Sequence, residues 1–149
     1  FARNKLNLKK ATSSEFDKKG LPIIGLINEW TKDGKKIKGT ETDLGGTMRL
    51  GSYDAKLKEN SMIKKIYNKN LIKERHRHRY EVNIAYKEKF EKNGMLFSGL
   101  SPDGKLPEII ELKNHPWFIG VQFHPEFKSR PLSPHPLFSS FIKASKNHK

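Results

Sequence analysis

The chain has 149 residues, 30 Lys plus Arg against 16 Asp plus Glu, a formal charge of +14 and no cysteine. That length suits one domain or most of one. The missing cysteines exclude a disulfide scaffold, a cysteine-ligated zinc or iron–sulfur centre, and a cysteine nucleophile within these residues.

Residues 1–10 read as helical, with Leu6 four positions after Ala2. Phe1 to Leu6 resembles the tail of a helix already under way, so the chain is expected to be a fragment. Thr12 to Asp17 is polar and turn-like. Leu21 to Trp30 is rich in Ile and broken by Pro22 and Gly25, and is expected to be a buried strand. Its apolar run is far shorter than the ~20 residues of a membrane helix. Lys32-Asp33-Gly34-Lys35 is a hairpin-turn signal. Gly45 to Gly51 brackets a possible short strand with glycines. Ser61 to Tyr67 is expected to be a helix with Ser61 as its N-cap. Arg75 to Val82 alternates as a strand does, and Asn83 to Lys92 suggests a short amphipathic helix. Met95 to Gly99, Leu106 to Leu112 and Trp117 to Phe123 read as three strands. Pro136 to Lys146 is a closing helix with Leu137, Phe138, Phe141 and Ile142 on one side.

The charge alone would attract a polyanion. Its distribution argues for a solvated surface, because lysines occur in nearly every segment and only Arg75, Arg77 and Arg79 cluster densely.

Three segments carry possible chemistry. Gln122 to Phe127 follows an apolar strand, and residues two apart on an extended chain point the same way, so His124 and Glu126 can meet. A carboxylate on one imidazole nitrogen fixes the tautomer and leaves the other nitrogen as a base. An exposed histidine beside a turn proline fits the same spacing. In Glu74 to Glu81, three arginines share one strand face, while His76, His78 and Tyr80 share the other. The arginines suit phosphate or carboxylate, and the two histidines suit zinc, with no third ligand evident nearby. An ordinary strand edge is the plain alternative. The glycine block of residues 45–51 lacks the phosphate-loop pattern and reads as a tight turn.

Leu44 to Gly51, Glu74 to Asn83, His115 to Phe118, Val121 to Phe127, Ser129 to Pro131 and His135 to Phe138 occur in one order along the chain. Together with Phe1 to Asn4 and Ser14 to Phe16, they resemble the class I glutamine amidotransferase domain of the CTP synthase family. The resemblance spans Phe1 to about Ser145. It implies an α/β fold, the later part of a flavodoxin-like amidotransferase domain with an antiparallel strand extension, its site at the carboxyl ends of strands. Residues 1–149 would then be a partial domain. The cysteine elbow, Gly-x-Cys-x-Gly, and the synthetase domain would lie outside them.

The implied activity is that of a ligase. Glutamine is hydrolysed and its ammonia supplied to ATP-dependent amination of UTP to CTP, in pyrimidine nucleotide biosynthesis. The resemblance places His124 and Glu126 on the family's base and orienting carboxylate, beside a cysteine thiolate that attacks the amide. It places Glu15 on a residue contacting the glutamine amino group and Arg79 on one contacting its α-carboxylate. The whole enzyme would use ATP and Mg²⁺, take GTP as activator, form a homo-tetramer and be cytoplasmic. This segment is expected to bind L-glutamine with the rest of its domain, and no metal, other cofactor, nucleic acid or membrane. Alone it is expected to be inactive and poorly stable. The alternatives are a non-catalytic amidotransferase-like binding or assembly module, and a basic nucleic-acid-binding domain.

Overall fold

The computed structural model describes residues 1–26, 31–32, 35–36 and 48–148. Two main sheets organise them. In the smaller, β2 (Leu21–Gly25) lies parallel to β1 (Ala11–Ser13) and antiparallel to β7 (Glu81–Val82). The larger sheet contains β5 (Arg49–Leu57), β6 (Leu71–His78), β8 (Met95–Leu100), β9 (Pro107–Leu112) and β10 (Ile119–Val121), and its neighbours are all antiparallel. Its order is β10-β9-β8-β5-β6. A short pair, β3 (Thr31–Lys32) with β4 (Lys35–Lys36), is in the register a two-residue turn requires. The expected turn residues Asp33 and Gly34 lie outside the described residues.

The larger sheet curls on itself. The Gln122 N–H, just past β10, donates to the Glu108 carbonyl on β9 at 3.0 Å. Two residues later the His124 N–H donates to the Arg75 carbonyl on β6, the opposite edge, at 2.8 Å. One segment therefore reaches both ends of the strand order, and it covers backbone that an open edge would leave unpaired.

Helix α1 (Met62–Tyr67) starts as the sequence predicts: the Ser61 hydroxyl accepts from the Lys64 N–H at 3.2 Å. The Glu111 carboxylate on β9 accepts from the N–H groups of Met62 and Ile63, both at 2.9 Å. These bonds satisfy donors that a helix start leaves free. Helix α2 (Lys87–Lys92) follows a 3₁₀ turn over Ile84–Tyr86 whose cap is Asn83. Helix α3 (Pro136–Asn147) closes the chain. One apolar cluster gathers Leu57, Ile63, Ile72, Ile109, Phe123 and Leu137, and a second gathers Leu6, Ile23, Phe90, Met95 and Phe97. Ile63 is fully buried in the first. Ile63→Ala should lower unfolding free energy by about 2–5 kcal/mol in a urea titration, from lost transfer energy and the cavity left behind.

Several expectations need correction. Residues 1–10 form turns and no helix. The Lys5 N–H closes on the Phe1 carbonyl at 2.8 Å, but Asn7 has a φ of +55° and swings Leu8 and Ala11 toward the second cluster. Strand β1 takes Thr12 and Ser13 out of the expected polar turn. Strand β2 stops at Gly25 and alternates, with Ile23 buried and Ile24 exposed; residues 27–30 of that expectation lie outside the described residues. The strand expected within the glycine block begins at Arg49 and runs through Gly51, at φ +103°, to Leu57. Gly45 to Thr47 lie outside the described residues. The strand expected over Arg75–Val82 is two strands in different sheets. The break falls at Arg79 and Tyr80, where His78 Nδ1–H donates to the Tyr80 carbonyl at 3.0 Å.

Candidate active site

His124 and Glu126 sit where the crossing segment leaves β6. Pro125 starts a 3₁₀ turn over Pro125–Lys128, since its fixed φ and missing N–H suit a first helical position. His124 Nδ1 lies 2.7 Å from Glu126 Oε1. That hydrogen bond with His124 holds the Glu126 carboxyl below its usual range. An ionised carboxylate only accepts, so Nδ1 carries the proton and Nε2 presents its lone pair. Among the described residues, Nε2 has no hydrogen-bond partner. The His124 side chain is 36% exposed, and its ring stacks on Phe127 with centroids 4.9 Å apart. The pair can therefore take a proton from, or return one to, a group arriving from solvent.

Glu15 and Arg79 lie at one end of the smaller sheet. Glu15 follows the last residue of parallel strand β1 by two positions, and Arg79 precedes antiparallel strand β7 by two. Strand direction thus brings both to the same end. Both side chains are exposed, and neither forms an ion pair with another described residue. The structure does not place them in contact with each other. Gln122 ties this end to the His124 segment, since its amide N–H donates to Glu81 Oε2 at 2.7 Å, at the start of β7.

Behind the segment lie two buried polar groups that the sequence did not single out as such. In one, Arg49 of β5 reaches Glu108 of β9 at 2.7 Å and Glu81 of β7 at 3.5 Å. Both carboxylates are 0% exposed. Burial pushes Glu81 up to about 7, against the pull of Arg49 and the Gln122 hydrogen bond. Burial likewise raises Glu108, again against Arg49. The two histidines whose spacing would suit zinc belong here. His78 donates through Nδ1 to a carbonyl, so its Nε2 accepts from His76 Nδ1–H at 2.8 Å. His76 then turns a bare Nε2 toward Glu108 at 3.6 Å. Burial, with the charge of Arg49, brings His76 down to about 3. Neutral histidines spent on each other leave zinc no pair of free lone pairs. Among the described residues no group of three metal-ligating side chains occurs.

The second group centres on Glu74, which is 2% exposed. Its Oε1 accepts from Tyr67 O–H at 3.1 Å and Lys128 Nζ–H at 3.3 Å, and lies 3.3 Å from His135 Nε2. Burial pushes its carboxyl up, but the His135 hydrogen bond and the Lys128 charge outweigh it and hold the pKa below the usual value. The signal for both groups was available in β6. Ile72, Glu74 and His76 share the inward face, so an alternating strand puts polar side chains where apolar ones are the rule.

The model of the glutamine amidotransferase class-I family matches residues 7–144. The chain is 89% identical over all its 149 residues to a CTP synthase of Pelagibacter ubique, covering 28% of that protein. It is 61% identical over 145 residues to a CTP synthase of Hyphomonas neptunium, covering 27% of it. The chain thus spans little more than a quarter of the curated relatives it matches. A solved structure described as the glutaminase domain of Trypanosoma brucei CTPS with bound acivicin superposes with a TM-score of 0.82. At 32% identity it covers 99% of this chain and 55% of its own. Over most of its length, with the fold and the His–Glu turn in place, the chain belongs to the class-I glutamine amidotransferase family.

Proposed function

We propose that these residues form the histidine- and glutamate-bearing part of a glutamine-hydrolysing domain that supplies ammonia for CTP synthesis. The observation that carries the proposal is the 2.7 Å His124–Glu126 pair on an accessible turn, its Nε2 without a hydrogen-bond partner among the described residues. In this reading a cysteine thiolate attacks the side-chain amide carbon of glutamine. His124 Nε2, which took the thiol proton as that thiolate formed, gives it to the leaving nitrogen, and ammonia departs. The imidazole then takes a proton from water, whose oxygen attacks the thioester and releases glutamate and thiolate. Glu126 keeps the proton on Nδ1 through both steps.

The nucleophile cannot come from residues that contain no cysteine. We place it in a Gly-x-Cys-x-Gly elbow N-terminal to Phe1, making residues 1–149 the later part of the domain. Glu15 and Arg79 would bind the amino and α-carboxylate groups of glutamine, since a zwitterion needs one anion and one cation held apart. The full-length polypeptide would couple this to ATP- and Mg²⁺-dependent amination of UTP in a separate synthetase domain, with GTP as activator. It would act as a cytoplasmic homo-tetramer. Among the described residues no helix is long and apolar enough to cross a membrane.

Sequencing the gene upstream of Phe1 tests the reading. A cysteine elbow about ten residues before Phe1 supports it. An elbow without cysteine would leave a non-catalytic relative. Within the full-length polypeptide, Arg79→Met should raise KM for glutamine about tenfold or more, with a smaller change in kcat, as loss of a charge-assisted carboxylate contact does. Steady-state ammonia release over a glutamine series reads this out. An unchanged KM would remove Arg79 from the substrate site.

A further inference from the structure

We propose that Glu74 is a positioning residue, which holds the His124–Glu126 turn against the sheet edge in the geometry that proton transfer requires. The inference rests on the glutaminase reading above and adds to it a residue that touches neither glutamine nor the reacting atoms. The turn needs an external anchor. The Glu126 side chain is 55% exposed, and among the described residues the only backbone bond joining His124 to the sheet is the one from its N–H to Arg75. A pair held at one end pivots, and a shift of about 1 Å in a reacting group can cost a hundredfold in rate.

Glu74 lies next to Arg75 on β6 and faces the buried side. It gathers the turn from its far end. Lys128, the last residue of the turn, donates to the Lys73 carbonyl at 2.7 Å and to Glu74 Oε1 at 3.3 Å. The chain just past the turn is held through the same oxygen. The Ser129 hydroxyl accepts from the His135 N–H at 3.1 Å, and the His135 ring lies against Glu74. His135 Nδ1 accepts the Leu137 N–H at the start of α3, so its Nε2 carries the proton that points at Glu74 and Tyr67. One carboxylate oxygen thus links β6, α1, the catalytic turn and the cap of α3. Glu74 Oε2 is buried without a hydrogen-bond partner among the described residues. Burying a carboxylate with one oxygen unsatisfied is a poor way to gain stability, and a fixed register is the better-attested use of such a group.

The test uses the full-length polypeptide and steady-state glutamine hydrolysis. Glu74→Gln keeps an acceptor for Tyr67 and His135 but removes the charge that holds Lys128. Lys128→Met removes the clamp from the turn side, at a half-exposed side chain outside the apolar clusters. Each should lower kcat about tenfold with KM for glutamine little changed, while Lys128→Arg retains most of the rate. Phe97→Leu, in the other apolar cluster, supplies a comparison of lowered stability and should leave kcat as it was. Wild-type kcat in both Glu74→Gln and Lys128→Met would overturn the inference. So would an equal loss in Phe97→Leu at matched stability. If the unaltered protein releases no ammonia from glutamine, the glutaminase reading fails and this inference with it. If it does, and His124→Ala abolishes the release while Glu74→Gln does not weaken it, the positioning role alone is wrong.

Discussion

His124→Ala in the full-length polypeptide is expected to lower kcat for glutamine hydrolysis by about 10³-fold, within the range that a positioned general acid–base supplies. On the proposed mechanism the imidazole acts twice, on the leaving nitrogen and on the attacking water, and among the described residues the neighbouring histidines cannot substitute. His76 and His78 are bonded to each other behind the segment, and His135 is committed at both ring nitrogens. KM should change little, because Nε2 contributes to the transition state more than to ground-state binding. Glu126→Gln should cost less than His124→Ala. The Gln carbonyl still accepts from Nδ1–H and preserves the tautomer, but the charge that stabilises the imidazolium is gone. Rates from ammonia release, with thioester formation followed in a single turnover, separate the two roles. Equal activity in His124→Ala and the parent would end the proposal that this turn does the chemistry.

How much of this was legible beforehand differs by element, for physical reasons. Helix α1 was readable from Ser61 and the apolar spacing after it, because a cap and an amphipathic period are local properties. The His124–Glu126 contact was anticipated from their spacing of two, but it forms where Pro125 starts a 3₁₀ turn and not by the extended-chain alternation expected. The first ten residues were misread as helix. One turn does close there, but whether a helix continues depends on what the chain must next reach, and Asn7 redirects it into the core. The run from Arg75 to Val82 carried a strand signal throughout. Nothing local said that it changes sheet at Arg79 and Tyr80, which depends on β2 waiting beside Glu81. The zinc possibility at His76 and His78 failed for a similar reason. Their inward face meets Arg49 and Glu108, which come from strands far away in sequence. The charged interior was the least legible feature, since it exists only once the larger sheet curls and brings β9 against β6.

That interior gives the largest expected stability effect. Arg49 is the cation lying between Glu81 and Glu108, and Arg49→Met removes it while keeping much of its bulk. Two buried carboxylates then face each other's charge and the bare Nε2 of His76 with no counter-ion. Breaking a buried pair in this way should cost about 3–5 kcal/mol. The loss should depend on pH. Glu81 already has a folded-state pKa near 7, above that of an unfolded glutamate, so the folded state binds the proton more tightly. Its contribution is fully present below the unfolded pKa and is lost as pH rises through about 7. Removing Arg49 raises Glu81 and Glu108 further, so the variant can relieve the charge at low pH by protonating both. His76 acts in the opposite sense. Its pKa is brought down to about 3, so stability falls as pH drops below the ordinary histidine range and the unfolded state takes up a proton. Unfolded histidine still titrates between about pH 6.5 and 8.5, so the carboxylates are read from urea unfolding at those two pH values as the difference between variant and parent. Relative to the parent, Arg49→Met should lose more stability at the higher pH than at the lower. Glu81→Gln keeps an acceptor for Gln122 and deletes one buried charge. It should flatten the pH dependence of the parent and stabilise the protein above pH 7. An Arg49→Met variant that loses no more stability, relative to the parent, at the higher pH than at the lower would show that these carboxylates are not held as the geometry of the curled sheet requires.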